Sequence, residues 1–446
     1  MEVSIKETAI IQPSTPPFAQ DHTLQLSHLD TDRNMNVTFR YLRVYVNNSS
    51  ATATNHPFNV ISAALSSALV HYYPLAGTLR RSSEDERLEV VCSGDQLGVP
   101  VINATVDCTL ESVNYLDDPD YDFVERLVPD PSLEEGMVNP CVLQVTVFEC
   151  GGFTLGAALR HVLCDGLGAT QFFNVMAELA RGADRISVEP VWDRMSLLSP
   201  REPARFDGPV REFLDLEKGS DPYGQTVGKV VRECYNVKDE WLDGFKNLLL
   251  EKSGSKFTTF EALGAFLWRA KVKAAELPGD EVVKYTYAMN IRRLIKPPLP
   301  LGYWGNGCVP MYAQLLAKEL IEQPIWKTAE VIKKSKINAT DEYVHSFIDF
   351  QAAHHADGIT AGNRVSGFTD WRHLGHSTVD FGWGGPVTVL PLSRHLVGST
   401  EPCFFLPYSS ANVGEKDGFK VLVTLQESAL PAFKKEMEKF SNQDFE

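Results

Sequence analysis

A histidine and an aspartate stand four residues apart in the stretch RHVLCDGLGA, residues 160–169. A histidine with an ordinary pKa of about 6.5 can accept a proton at neutral pH. An aspartate at the entry to a helix can cap that helix or hold an arginine. The residues alone leave three interpretations of His161: a general base, a metal ligand or a core side chain. A metal site is disfavoured, because the chain has neither an HExxH pattern nor a cluster of cysteine and histidine.

The segments on either side of this motif predict a strand followed by a helix. Polarity alternates along CGGFTLGAALRHVLCDG, residues 150–166, which places His161 near the end of a strand. Apolar residues recur at helical spacing in residues 167–182. If the strand stayed extended to Asp165, the Cα atoms of His161 and Asp165 would be about 13 Å apart. We therefore expect acid–base chemistry from His161 and a structural role from Asp165.

Other reaction types have less support in the sequence. A thiol nucleophile at Cys164 would need His161 as its base, but the two side chains would point to opposite faces of a strand end. The chain contains no GxSxG elbow, no GxxxxGK[ST] phosphate loop and no strand-linked GxGxxG. Serine hydrolases of that type, nucleotide triphosphatases and dinucleotide enzymes are therefore disfavoured.

The composition narrows the class of protein further. A chain of 446 residues suits two domains of about 200 residues each. It is 43% hydrophobic, and no run approaches the roughly 18 apolar residues of a membrane span, so we expect no membrane association. A formal net charge of -16 would repel nucleic acid. The first residues are acidic and proline-rich and do not resemble a signal peptide, which predicts a cytoplasmic location.

Strand-like and helix-like segments interleave along the whole chain, which predicts an α/β fold. A stretch rich in proline, aspartate and arginine lies in the middle, with little sustained periodicity. We interpret residues 196–225 as a crossover linker between an N-terminal domain, residues 1–195, and a C-terminal domain, residues 226–446.

A second motif, VDFGWGGP at residues 379–386, changes the interpretation. Together with the earlier HxxxDG it resembles the two signature motifs of the BAHD family of plant acyl-CoA-dependent acyltransferases. Three more segments resemble family motifs: YYPLAGTLR (72–80), FTTFEALGAFLWRA (257–270) and GYWGN (302–306). The sequence around His161 is most similar to the branch that includes taxane, benzyl alcohol and phenylpropenyl alcohol acyltransferases.

This resemblance implies two α/β domains like chloramphenicol acetyltransferase, with mixed β-sheets flanked by helices and an active-site channel at the domain interface. It implies that His161 is the catalytic base and that Asp165 turns away to pair with Arg292, in the segment Asn290-Ile291-Arg292. Acyl-CoA would be the co-substrate, with no further cofactor and no metal. The other reactant would be the hydroxyl of a small plant metabolite, and the enzyme would be a monomer.

The resemblance also assigns the remaining motif. In the family, DFGWG is treated as structural and distant from the histidine, so Asp380 and Gly382 should fix a loop. Trp383 is assigned mainly to packing, and a role as an oxyanion donor stays open. Asn290 stands where the family usually has aspartate, and Thr78 where it usually has arginine.

Substrate contacts are expected on two surfaces. The three phosphate groups of CoA need local cations in an acidic protein, and Lys252, Lys256, Arg293 and Lys296 flank the segments that bind CoA in the family, with Thr258 as a hydroxyl contact. On the acceptor side, Phe39, Tyr41 and Arg43 alternate on one strand face, at positions where related enzymes line the acceptor channel.

Several alternatives remain at this point. The same base could serve an amine acceptor, or water in an acyl-CoA thioesterase, and a ligand-binding relative without activity is a further alternative. Condensation domains share HxxxDG but carry a second histidine before it, where this chain has Arg160. The identity of the acyl donor and of the acceptor does not follow from the sequence.

Overall fold

A computed structural model describes residues 1–47, 56–93, 98–206, 208–219, 221–223, 228–411 and 417–445. The strands, in chain order, are β1 (Val3–Ile11), β2 (His22–Gln25), β3 (Thr38–Tyr45), β4 (Thr78–Arg81), β5 (Leu88–Cys92), β6 (Val99–Val106), β7 (Cys141–Phe148), β8 (Phe153–Arg160), β9 (Asp215–Leu216), β10 (Val230–Val237), β11 (Val282–Asn290), β12 (Cys308–Leu316), β13 (Ile359–Thr360), β14 (Val365–Asp370), β15 (Thr388–Pro391), β16 (Cys403–Leu406) and β17 (Phe419–Gln426). The α-helices are α1 (Pro57–Ala68), α2 (Tyr121–Val124), α3 (Leu133–Val138), α4 (Gly166–Ala180), α5 (Arg194–Leu197), α6 (Pro209–Phe213), α7 (Asp239–Ser253), α8 (Thr259–Ala274), α9 (Ala317–Glu322), α10 (Ile325–Ser335), α11 (Asp341–His354) and α12 (Leu430–Ser441).

The N-terminal half is built on a six-stranded sheet in the order β1-β6-β7-β8-β3-β15. The sheet is mixed, because β6 and β7 run parallel while the other neighbours are antiparallel. Every residue of β8 is buried, as expected for a central strand that carries the predicted site at its end. Helices α1 and α4 pack against each other and contribute apolar side chains to the same core.

The C-terminal half has a second six-stranded sheet, in the order β10-β17-β16-β14-β11-β12. It is also mixed, with β14 parallel to both β11 and β16. Helix α8 is buried along most of its length and carries the fully buried Trp268, and α7, α10 and α12 pack around it. The predicted α/β class with mixed sheets flanked by helices is confirmed.

The C-terminal half is not confined to its own sheet. Strand β15 pairs antiparallel with β3, and Thr388 lies opposite Val44 in this pairing. The chain just before β15 packs into the N-terminal core through Phe381 and Trp383. Without β15, the edge of β3 would expose unpaired backbone N–H and C=O groups, which explains why a distant segment covers it. The boundaries at 195 and 226 remain a prediction, since the two halves share this sheet.

The segment from 196 to 225 is tied to both halves wherever the structure describes it. Strand β9 pairs with β13 of the C-terminal half, and the hydroxyl of Tyr223 donates to the carbonyl of Asn34 at 2.5 Å. The buried Lys284 donates to the carbonyl of Phe213 at 2.7 Å. The crossover linker, residues 196–225, therefore forms contacts with both halves. In the described ranges, no helix has both the length and the apolar character needed to cross a bilayer.

Candidate active site

His161 is the first residue after β8, and the backbone fixes its position. Its N–H donates to the carbonyl of Val37 at 2.9 Å, which continues the pairing of β8 with β3 by one residue. The chain then turns, with the N–H of Leu163 donating to the carbonyl of Arg160 at 3.0 Å. Burial lowers the pKa of His161, and the nearby Asp165 carboxylate opposes this shift only in part. The imidazole is therefore neutral at pH 7 and can accept a proton.

Asp165 lies beyond the turn and points to Arg292. Its carboxylate receives two hydrogen bonds from the guanidinium, at 2.7 and 2.9 Å, and caps α4 by accepting from the N–H of Gly168 at 2.9 Å. The N–H of Gly307 also donates to it, at 3.0 Å. Burial alone would raise the pKa of Asp165, but Arg292 and the two N–H groups hold it below its usual range. The contact implied by the family resemblance is present, and Asp165 keeps its charge within it.

A buried polar network also holds the turn from its other side, and sequence reasoning missed it. The side-chain amide of Asn306 donates to the carbonyl of His161 at 2.8 Å and to Asp30 at 2.9 Å. Arg194 donates to Asp30 at 3.2 Å and to the carbonyl of Leu163 at 2.8 Å. Both Asp30 and Arg194 are 0% exposed. Asn306 belongs to the GYWGN segment quoted above, which was the one available signal for this network.

Two clefts lie between the two halves, and the first of them borders this turn. One, of about 970 Å³, is lined by Val37, Arg160 and Val162 from the N-terminal half and by His355 and Arg394 from the C-terminal half. The other, of about 1130 Å³, is lined by Leu167 and Gln171 of α4 and by Arg292 and the following loop. The neighbours of His161, Arg160 and Val162, thus line a cleft at the interface of the halves, from which a substrate could approach the imidazole.

The three residues expected on the acceptor side share one face of β3, but they differ in exposure. The half-buried Phe39 packs edge-to-face against His161, with ring centroids 5.5 Å apart. Tyr41 and Arg43 are 1% and 0% exposed. Among the three, only Phe39 is partly exposed, because the ring of Trp371 packs on Tyr41 and the ring of Phe173 lies against Arg43.

Comparisons with known proteins identify the family. A family model described as Transferase family matches residues 1–440. Spermidine sinapoyl-CoA acyltransferase of Arabidopsis thaliana is 34% identical over 97% of this chain and 96% of its own length. Taxadien-5-alpha-ol O-acetyltransferase of Taxus cuspidata is 32% identical, with 98% and 97% covered. The chain is a member of the BAHD family. It is an acyl-CoA-dependent acyltransferase.

Solved structures agree with this fold. Vinorine synthase matches 97% of this chain and 96% of its own, with a TM-score of 0.74 and 19% identity. F. graminearum TRI101 complexed with coenzyme A and deoxynivalenol matches 94% and 98%, with a TM-score of 0.76 and 14% identity. The chloramphenicol-acetyltransferase-like α/β fold implied by the BAHD resemblance is thereby confirmed.

The DFGWG motif of this BAHD chain folds into a tight loop. The Asp380 carboxylate accepts from the N–H groups of Gly382 and Gly384 at 2.7 and 2.8 Å, and both glycines have positive φ, which favours glycine. Trp383 is 4% exposed and packs edge-to-face on Phe153, at the start of β8. Because His161 follows the other end of β8, about 25 Å of strand separates the two. Trp383 is too distant to stabilise an oxyanion at His161, so that alternative is wrong.

The residues expected to contact CoA do not all lie together. Lys252, in the last turn of α7, and Lys256, shortly before α8, are both exposed, and Thr258 caps α8 by accepting from the N–H of Glu261 at 3.3 Å. Lys333 of α10 joins them, since its ammonium donates to the carbonyl of Lys256 at 2.9 Å. Sequence reasoning missed Lys333, although three lysines among residues 333–336 were a visible signal.

Arg293 and Lys296 lie elsewhere in this acyltransferase. Arg293 lines the cleft beside α4. Lys296 is exposed, and its backbone N–H donates to the carboxylate of Asp341 at 2.7 Å. The structure therefore places Arg293 in this cleft and Lys296 outside its lining, apart from the lysines that precede α8. Cys164 is 4% exposed, and burial raises the pKa of its thiol well above the ordinary value, so it is not a nucleophile.

Proposed function

We propose that this BAHD enzyme transfers an acyl group from acyl-CoA to a hydroxyl of a small plant metabolite, with His161 as the general base. The observation that carries the proposal is the placement of the His161 imidazole, whose backbone is fixed by hydrogen bonds, beside a cleft between the two halves. Asp165 is occupied by Arg292, which leaves His161 to act without a carboxylate partner.

The reaction needs one proton transfer in each direction. His161 takes the proton of the acceptor hydroxyl while its oxygen attacks the thioester carbonyl, which gives a tetrahedral intermediate. The C–S bond then breaks, the acceptor ester forms, and the CoA sulfur takes the proton from the imidazolium. General-base catalysis of this kind contributes about 10²–10⁴-fold, and alignment of the two reactants can contribute about 7–11 kcal/mol. Because Cys164 is a buried thiol, the transfer is direct, in a ternary complex.

The carbonyl of His161 is held by Asn306, and this contact positions the imidazole. Asn306 in turn is held by Asp30, which Arg194 neutralises. No member of this network needs to touch a substrate. Its role is to keep the HVLCD turn rigid, because a shift of about 1 Å in a catalytic group can cost about 10²-fold in rate.

We assign the phosphate end of CoA to the lysines of the α7 end, the segment before α8 and α10. Lys252, Lys256 and Lys333 concentrate positive charge on the surface of a protein whose formal net charge is -16. An exposed cluster of this kind attracts a polyanion locally, even where the overall field repels it. Thr258 and Arg293 remain further candidates for CoA contacts, and the enzyme is proposed to act as a cytoplasmic monomer.

The choice of a hydroxyl over an amine follows the taxane O-acetyltransferase relatives and the branch resemblance around His161. Other relatives are named for spermidine or for an N-benzoyl transfer, so amines belong in the same test. Purified protein should be given acetyl-CoA, benzoyl-CoA or p-coumaroyl-CoA, each with aromatic and terpenoid alcohols or with benzylamine and spermidine. Free thiol and product mass are then measured together.

Alcohol-dependent thiol release with a matching ester mass would support the proposal. Amide products alone would replace it with N-acylation, and release without any acceptor would indicate a thioesterase. His161→Ala is the matched control, because it removes the base and leaves the backbone contacts of the turn in place. Ester formation by this variant at the wild-type rate would contradict the mechanism.

A further inference from the structure

Arg43 is a buried cation without an anionic partner in the described part of the chain. It is 0% exposed, and its Nε and Nη1 atoms are buried without a hydrogen-bond partner. Its Nη2 atom lies 3.4 Å from Nδ1 of His376. The guanidinium carbon stands over the rings of Phe173 and Tyr41, at 4.3 and 4.9 Å from their centroids. Contacts with aromatic rings compensate a cation only in part.

The polar groups around Arg43 do not supply the missing negative charge. Burial raises the pKa of Tyr41 to about 12, against the opposing effect of Arg43, so the phenol stays neutral. Burial and the Arg43 charge lower the pKa of His376 to about 3, so the imidazole is also neutral at pH 7. The Tyr41 hydroxyl and Nε2 of His376 are themselves buried without hydrogen-bond partners. The cluster of Arg43, Tyr41 and His376 therefore carries one net positive charge. Some of its hydrogen-bond donors have no acceptor.

This cluster is connected to the proposed base by a short row of rings. The ring of Phe39 lies 5.5 Å from that of His161, and the ring of Tyr41 lies 5.5 Å from that of Phe39. Phe39, Tyr41 and Arg43 point to the same side of β3, and the five residues from 39 to 43 span about 13 Å. A molecule whose hydroxyl meets His161 would have to extend past Phe39 and Tyr41 to reach Arg43 with its other end.

We propose that Arg43 and the Tyr41 hydroxyl bind a carboxylate on the acceptor, so that the acceptors of this enzyme are hydroxy acids. This inference rests on the proposed O-acyl transfer. A carboxylate fits because its single negative charge and two oxygens match one guanidinium with free N–H groups. A phosphate would bring about two negative charges against one positive charge. A polyamine would bring further positive charge to a buried cation and is disfavoured.

Trp371 is the ring that a ligand must displace to reach Arg43. It packs on Phe39, Tyr41 and His376, with centroid separations of 5.5, 6.1 and 4.8 Å. It follows directly after β14, in a loop that passes through Gly375 at φ +75°. Trp371 thus covers the charge of Arg43, and a bound carboxylate would supply the partner that the described part of the chain lacks.

Binding is tested first with unreactive probes, because this does not depend on catalysis. Calorimetric titration compares octanoate with octan-1-ol on the wild type, Arg43→Met and Arg80→Met. Arg80 is an exposed arginine paired with Glu89, and it serves as the control. The wild type and the control should bind octanoate about 10- to 100-fold more tightly than the alcohol, as expected for hydrogen bonds to a charged group. Arg43→Met should lose this preference.

Kinetics then test the acceptor class. Hydroxy acids of six to twelve carbons are compared with their methyl esters as acceptors, and the ratio of kcat/KM for acid over ester is measured. The wild type should favour one of the acids by about 10- to 100-fold, and Arg43→Met should bring the ratio close to one. Tyr41→Phe removes only an unpartnered hydroxyl, so it should fold normally and lower the ratio partially. It replaces Arg43→Met if that variant does not fold.

Equal binding of octanoate and octan-1-ol by the wild type would overturn the inference, whatever the enzyme acylates. An acid-to-ester ratio that is the same in the wild type and in the Arg43 or Tyr41 variant would also overturn it. Failure of the proposed function looks different: octanoate would still bind through Arg43, but no hydroxyl compound would be acylated. In that case the carboxylate site stands, and the assignment of its ligand as a hydroxyl acceptor falls.

Discussion

Replacement of Asp165 by alanine should destabilise the protein strongly, because the carboxylate has four hydrogen-bond donors and 7% exposure. The change leaves the Arg292 guanidinium without its charge partner, and it leaves the N–H groups of Gly168 and Gly307 without an acceptor. Breaking a buried ion pair by removing one partner costs about 3–5 kcal/mol. At about 2 °C per kcal/mol for a chain of this size, the thermal midpoint should fall by about 6–10 °C.

The measurement is a thermal unfolding scan of Asp165→Ala, Arg292→Met and the double variant, at one protein concentration and scan rate. Each single variant leaves the remaining charge of the pair without its partner, whereas the double variant removes both charges. The double variant should therefore lose less stability than the sum of the two single losses, by about 1–3 kcal/mol. Lys6→Glu, a substitution on exposed β1, is a control that should leave the midpoint unchanged.

The same variants separate a structural role from a catalytic one. The Asp165 charge partly opposes the lowering of the His161 pKa, so its removal should move the acid limb of kcat/KM to lower pH. An unchanged midpoint in both single variants would refute the structural role. A shift of the acid limb to higher pH would refute the assigned direction of the coupling.

The other predictions concern the base, the CoA surface and the DFGWG loop. His161→Ala should lower kcat by about 10²–10⁴-fold with an unchanged unfolding midpoint, and near-normal turnover would contradict its role as the base. In the wild type, kcat/KM should stay constant around pH 7 and fall only below the ordinary histidine pKa. The reason is that burial lowers the pKa of His161 and that protonation removes the base. An acid limb above pH 7 would contradict this. The double variant Lys256→Glu, Lys333→Glu should raise the KM for acyl-CoA, whereas Lys6→Glu should not. If the double variant had the same KM as the wild type, these two lysines would not belong to the CoA surface. Asp380→Ala should cost about 1–3 kcal/mol, because two partly buried N–H groups lose their acceptor. A denaturant midpoint equal to that of the wild type would contradict the role of this loop.

The local part of the site could be predicted from the sequence. Alternation before His161 and helical spacing after Asp165 predict β8 and α4, and the structure gives β8 as Phe153–Arg160 and α4 as Gly166–Ala180. These elements depend on neighbours in the chain, and their periodicity is visible in the printed residues. The family resemblance added the partner of Asp165, which no local pattern indicates.

Contacts between distant segments could not be predicted. Asn306 and Asp30 are 276 positions apart, and neither residue type signals a buried pair by itself. The burial of Tyr41 and Arg43 also depends on Trp371 and Phe173, which arrive from other parts of the chain. Alternation on a strand shows which residues share a face, but not what covers that face.

The pairing of β15 with β3 has a consequence for how the protein is made. Residues 1–195 leave the ribosome well before residues 388–391, so the newly made N-terminal half waits with an open strand edge and an apolar surface at Phe153. An N-terminal half expressed alone would keep both features and should aggregate. Strand β15 and the residues just before it therefore cover the N-terminal half only late in synthesis. The full-length chain, and not either half, is then the unit that folds.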